Sequence, residues 1–168
     1  FMDSTISINS SLKMMTNSPD LYQNCYRAVY TNILVISPII FTGAKMLIIK
    51  NTDNYITIFE YMPIVLIHNV GYHCSHYLMH KVSYLRKLHD FHHQFKNPVI
   101  PSVGNAVSVG EFLFAYVLPF LIGAYLINPT IINFKIAIGF ISFLNLIIHC
   151  EELRWLRINK YFVSPYKH

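Results

Sequence analysis

Charge is what this chain has least of. Only 12% of its 168 residues are Asp, Glu, Lys or Arg, about half the share usual in soluble domains. Hydrophobic residues make up 54% and the mean hydropathy is +0.39, a balance that argues for a membrane protein over a soluble one. Cysteine is scarce as well. Cys25, Cys74 and Cys150 form no CxxC pair, so a disulfide framework is excluded, and Cys74 and Cys150 read as packing residues. The formal net charge is +5, yet no arginine-rich stripe gathers it. The excess therefore speaks of membrane topology, with no nucleic acid as partner. A basic stretch ahead of a short apolar run is also missing, so a cleaved signal peptide is not expected. So is H-E-x-x-H: Tyr77, Leu78 and Met79 follow His76, leaving no glutamate base of the zinc-protease kind.

What the chain does have is apolar segments. Residues 1–22 are rich in Ser, Thr, Asn and Met without lasting periodicity and are expected to form a flexible or surface-lying arm. Residues 23–168 are expected to form one membrane domain. Four apolar segments follow the arm, at about Ala28–Ile49, Tyr55–Tyr72, Glu111–Ile127 and Ile131–His149. A spanning helix needs about 20 residues for about 30 Å of hydrocarbon. The first segment meets that length. The others are shorter or carry Glu60 or Lys135, and fit tilted or deeply embedded helices. Asn51–Asn54 and Asn128–Thr130 read as turns. The expected fold is an all-α integral membrane protein with about four transmembrane or deeply embedded helices in two hairpins. The 12 Tyr and 12 Phe suit interfacial belts. If each segment crosses, the ends and residues 73–110 share one side. Lys81, Arg86, Lys87, Lys96, Arg154, Arg157, Lys160 and Lys167 lie there, and the positive-inside rule makes it cytoplasmic.

That side also carries the histidines. Seven fall within twenty-six residues: His68, His73, His76, His80, His89, His92 and His93. His76 and His80 stand at i and i+4, so on a helix they share a face, with His73 one turn earlier. His89, His92 and His93 repeat the spacing as i, i+3 and i+4. Neutral imidazole is a good ligand for iron, zinc or copper. A metal beside hydrocarbon needs several ligands to offset its desolvation, so the repeated spacing outweighs either pair alone. His149 ends the fourth segment on the same surface, and His168 ends the chain. Glu111 opens the third segment there, placed to orient a ligand or to sit at a helix N-terminus. His68 reads as a polar residue in or near a helix rather than a ligand.

The run His76-Tyr77-Leu78-Met79-His80, with Leu88-His89-Asp90-Phe91-His92-His93-Gln94-Phe95-Lys96-Asn97-Pro98, resembles the fatty acid hydroxylase/sterol desaturase superfamily. That superfamily carries an H-x-x-x-H box, an H-x-x-H-H box and a late H-x-x-H-H box. The resemblance covers about residues 60–168 and is closest to the C4-methylsterol oxidase and sterol hydroxylase branch. It implies a multi-pass membrane enzyme of the endoplasmic reticulum, boxes facing the cytoplasm. It implies two iron ions that activate O2, with His76, His80, His89, His92, His93, His149 and His168 as ligands and His73 and Glu111 as further candidates. Electrons would come from NAD(P)H through cytochrome b5 and its reductase. The substrate would be a membrane lipid, a sterol first and a fatty acyl chain second. The last box is expected to be cut short at His168. The chain departs from the family pattern at Asn69, where an acidic residue is usual, and at His73, where a tyrosine is usual. Only Glu111 remains of an H-P-x-E element, and Glu151-Glu152 replaces a Gly-Tyr pair. These departures keep a second expectation open, a non-catalytic membrane protein retaining the hydroxylase fold.

Overall fold

The computed structural model of the protein describes Asp3 and residues 6–50, 55–95 and 100–150. The expected turn at Asn51–Asn54, the Glu151-Glu152 departure and the proposed ligand His168 lie outside the described residues. Within them the protein is all-α. Helix α1 (Ile8–Asn17) lies where an arm was expected, with Met14 and Ser11 buried. Its apolar residues recur at helical spacing over less than three turns, too short a run for periodicity alone to reveal. Ser18 separates it from α2 (Pro19–Leu47), which starts on a proline whose missing N–H costs nothing at a first turn.

Helix α3 (Ile58–Lys81) runs through the end of the second expected segment and carries His73, His76 and His80 as further turns of one helix. Thr57 caps it, accepting from the Phe59 N–H at 3.4 Å. A short α4 (Ser83–His89) follows, then single 3-10 turns at His92–Gln94 and Pro101–Asn105. Helices α5 (Val109–Ile127) and α6 (Ile131–Ile148) form a hairpin. Its turn begins at Asn128, whose φ is 50°, a left-handed conformation that asparagine tolerates.

Among the described residues three helices, α2, α5 and α6, are long and apolar enough to cross a membrane. At 1.5 Å per residue α2 measures about 43 Å. Helix α3 is long enough but carries Glu60, His68, Asn69 and His73 among its apolar residues. Leu34, Ile39, Leu47, Tyr125 and Leu126 on these helices are exposed. Apolar helices so lightly covered by protein are suited to lipid, and the chain is a multi-pass membrane protein.

Two spans contain a π turn, Thr31–Ile36 in α2 and Phe112–Val117 in α5. A proline, Pro38 or Pro119, follows each after one residue. Proline offers no N–H to the carbonyl one turn earlier and its ring crowds that carbonyl; a widened turn relieves both. In α2 the Ser37 hydroxyl donates to the Asn32 carbonyl at 2.8 Å. The α3–α5 contact is close. A Cβ on Gly71 would stand 2.6 Å from Pro119 Cβ, and one on Gly123 would stand 3.3 Å from the Ile64 backbone. Away from the histidines, Glu60 ties α3 to the α5–α6 turn. Its carboxylate accepts from the Thr130 N–H at 2.8 Å, Asn133 Nδ2 at 2.9 Å and the Tyr55 hydroxyl at 2.9 Å. Pairing inside the bundle is thus its place.

Candidate metal centre

One turn of α3 separates His76 from His80, and the helix aims both rings the same way. Their Nε2 atoms stand 3.2 Å apart. With metal–nitrogen bonds of about 2.0–2.1 Å, two imidazoles on one ion stand about 3 Å apart. Helix α4 folds back and delivers His89 from its last residue. The ligand atoms of His76, His80 and His89 lie within 4.8 Å of one another. The 3-10 turn after α4 brings the next pair. His93 is 4.4 Å from His89 and 5.1 Å from His80 between ring centroids, and His92 is 5.5 Å from His89. At the end of α6, His149 lies 5.9 Å from His92. Six imidazoles from three separate stretches of chain therefore meet.

His89 is the most enclosed of them, with no exposed surface, and Glu111 beside it has none either. His89 Nδ1 and Glu111 Oε1 are 2.6 Å apart. The α5 N-terminus sets this pair. Ser108 caps the helix by accepting from the Glu111 N–H at 3.1 Å, and its hydroxyl donates to the Leu88 carbonyl at 2.7 Å. This contact engages Nδ1 and leaves Nε2 as the nitrogen with no hydrogen-bond partner among the described residues. A carboxylate behind a histidine whose other nitrogen is left over is how metal ligands are oriented. Burial pushes the His89 pKa down to about 4. Burial also holds His92 well below its usual value, helped by His149 and His89. Both are thus neutral at physiological pH, the ligating form.

His149 is fixed differently. Its Nδ1 meets the Asn145 carbonyl at 2.8 Å, and a Cβ on Gly104 would stand 2.7 Å from the same nitrogen. Not every candidate joins the cluster. His73 is exposed on the outer face of α3. His68 is buried two turns before His76, its ring 6.3 Å from Tyr72 and nearly parallel to it, and takes no part. Sequence reasoning missed Ser108, Gly104 and Asn145. Two had a readable signal: Asn145 stands four residues before His149, and Ser108 stands three before Glu111 at the S-x-x-E spacing of a helix cap.

The geometry can be set beside known proteins. The fatty acid hydroxylase family matches residues 61–168, well over half of the chain. The chain belongs to the fatty acid hydroxylase family. This places it in the fatty acid hydroxylase/sterol desaturase superfamily and implies a lipid substrate. No curated protein and no solved structure matches it. The matched region contains all six clustered histidines and Glu111, so family membership and the metal-compatible geometry concern the same residues. As a fatty acid hydroxylase family member, the protein has a histidine cluster capable of holding a metal.

Proposed function

We propose that the protein is a di-iron, O2-dependent oxidoreductase that hydroxylates or desaturates a membrane lipid, a C4-methylsterol-like substrate first. The observation that carries this is the meeting of six imidazoles at one end of a bundle whose spans face lipid. His76, His80, His89, His92, His93 and His149 would hold the metals, with His168 a further ligand; neither His73 nor Glu111 is needed as one. Bound iron would supply O2 activation, with electrons from NAD(P)H through cytochrome b5 and its reductase. The chain's own part is to keep the imidazoles neutral and aimed. Glu111, 2.6 Å from His89 Nδ1, fixes the orientation of that ring. Tyr72, its ring 5.6 Å from His76, walls the site on the side of α3 that leads into the bundle. C–H bonds of sterols and acyl chains are inert and lie in the bilayer, so a redox metal at the hydrocarbon boundary suits them. The proposed location is the endoplasmic reticulum, with the histidines on the cytoplasmic face.

The test is metal analysis of protein purified with its lipids, which should carry about two irons per chain. Zinc alone, or no metal, would overturn the reading. Lipid profiling of cells that supply cytochrome b5 identifies the substrate, and His92→Ala should abolish product; unchanged turnover removes His92 from the site.

A further inference from the structure

Each of the three spanning helices sends one polar side chain to the same short segment, two to its backbone and one to the Asn105 side chain. From α2, Asn32 Nδ2 donates to the Val107 carbonyl at 2.9 Å and the Asn105 carbonyl at 3.2 Å. From α5, the Tyr116 hydroxyl donates to the Gly104 carbonyl at 3.0 Å. From α6, Asn145 Nδ2 donates to Asn105 Oδ1 at 3.1 Å. Asn32 is fully buried and Tyr116 nearly so. An amide or phenol sunk into an apolar helix costs free energy unless its hydrogen bonds are made. Polar residues that merely hold helices together would bond helix to helix. Tyr116 also meets the Tyr72 hydroxyl on α3 at 3.5 Å, but all three side chains bond to the segment Gly104–Val107, which belongs to no helix that spans.

That segment touches the site. Gly104 lies against His149 Nδ1, so close that a Cβ there would overlap it. Asn145, which holds Asn105 by its side chain, takes His149 on its own carbonyl. The segment follows the His89–His93 box after a short stretch of chain, and among the described residues His149 is the clustered histidine that comes from far along the sequence. Both π turns serve this arrangement, since Asn32 lies in the first and Tyr116 in the second. The extra residue in a π turn rotates the rest of the helix by about 100°, which lets one helix present a polar group to the segment and an apolar face elsewhere.

The geometry points to Asn32, Tyr116 and Asn145 as positioning residues that, through Gly104–Val107, set His149 against His92. The inference deepens the metal-centre reading and rests on it for its consequence. His149 then joins the cluster only while this segment is pinned, and the ion it completes depends on side chains that touch no metal.

The experiment uses full-length, detergent-purified protein carrying Asn145→Leu or Tyr116→Phe, with His149→Ala for comparison. Tyr116→Phe removes a single hydroxyl and spares the packing, so it guards against a failure to fold in the other variant. The primary readout is carbethoxylation of His149 in metal-free protein, followed by mass spectrometry. His149 is only 8% exposed, and its modification should speed up several-fold in both variants while His89 stays protected. Iron loading is the second readout, expected to fall from about two ions per chain toward about one, as in His149→Ala. If His149 labels at the wild-type rate in both variants, the positioning inference is overturned whatever the metal content. If wild-type protein takes up no iron, the metal reading fails, and the labelling still decides this inference on its own.

Discussion

A carboxylate 2.6 Å from an imidazole, both without exposed surface, decides which nitrogen of that imidazole can bind a metal. Glu111 engages Nδ1, and in the proposed centre Nε2 is the nitrogen that faces the ion. Glu111→Gln retains the shape but lets the side chain present an N–H where a carboxyl oxygen now faces Nδ1. Metal affinity should drop about 10–100-fold, measured by competition with a chelator, with the fold intact. The titration of His89 makes a second prediction, for metal-free protein. Its folded pKa is about 4, against about 6.5 for histidine in an unfolded chain. Between those values the unfolded state binds the extra proton, so stability is full above about pH 6.5 and is lost as pH falls toward 4. Thermal unfolding across that range should show the loss, and His89→Gln should flatten it. A slope unchanged by that substitution would assign the effect to other groups. His73 shows where residue-scale reading stops. Spacing puts it about 60° around the helix from His76, near enough to count as the same face. Which of the two is buried depends on what α3 packs against, and His76 is buried while His73 is exposed.

At the scale of elements, the decisive contact is α3 against α5. Gly71 meets Pro119, and α3 carries His76 and His80 five and nine residues further on. Gly71→Ala would place a methyl where there is no room. The helices must separate, at a cost of about 1–3 kcal/mol, read as a lowered unfolding midpoint in micelles. The shift should also loosen His76 and His80 relative to His89, so weaker metal retention should accompany the lost stability. Wild-type behaviour in both measurements would mean that the contact yields without moving α3. The sequence told the elements apart unevenly. The α5–α6 hairpin was legible because long apolar runs flank Asn128-Pro129-Thr130. The extent of α3 was not, because its apolar pattern fades after Tyr72 while the helix continues on contacts from α5 and α4. The helix at residues 8–17 was hidden for a related reason: it is short, and its stability comes from docking Met14 among Cys25, Val29 and Ile100.

The whole molecule is a set of apolar helices with a histidine cluster at one end and a Glu60-centred polar knot at the other. Proposed with the histidines in the cytoplasm, this arrangement makes a prediction about a remote residue. Asn9-Ser10-Ser11 on α1 is a glycosylation sequon, and the N-terminal segment reaches the same end as His149, since Ser7 Oγ lies 3.5 Å from Cys150 Sγ. Expressed with microsomes, the protein should stay unglycosylated at Asn9. Glycan attachment there would invert the topology and place the histidines in the lumen.

Composition alone determined the class of protein, since so few charges and so many apolar residues leave lipid as the fitting solvent. Histidine spacing alone picked out the two boxes, because residues three or four apart on a helix share a face. These are local properties, and a sequence carries them openly. Only the tertiary structure decided that α4 folds back to set His89 beside His76, that His149 arrives next to His92, and that Glu111 stands behind His89. It also decided that Asn32, Tyr116 and Asn145 converge on Gly104–Val107. Each of these joins residues far apart in the chain. Their meeting depends on how helices pack and where turns send them, which no spacing within one segment records.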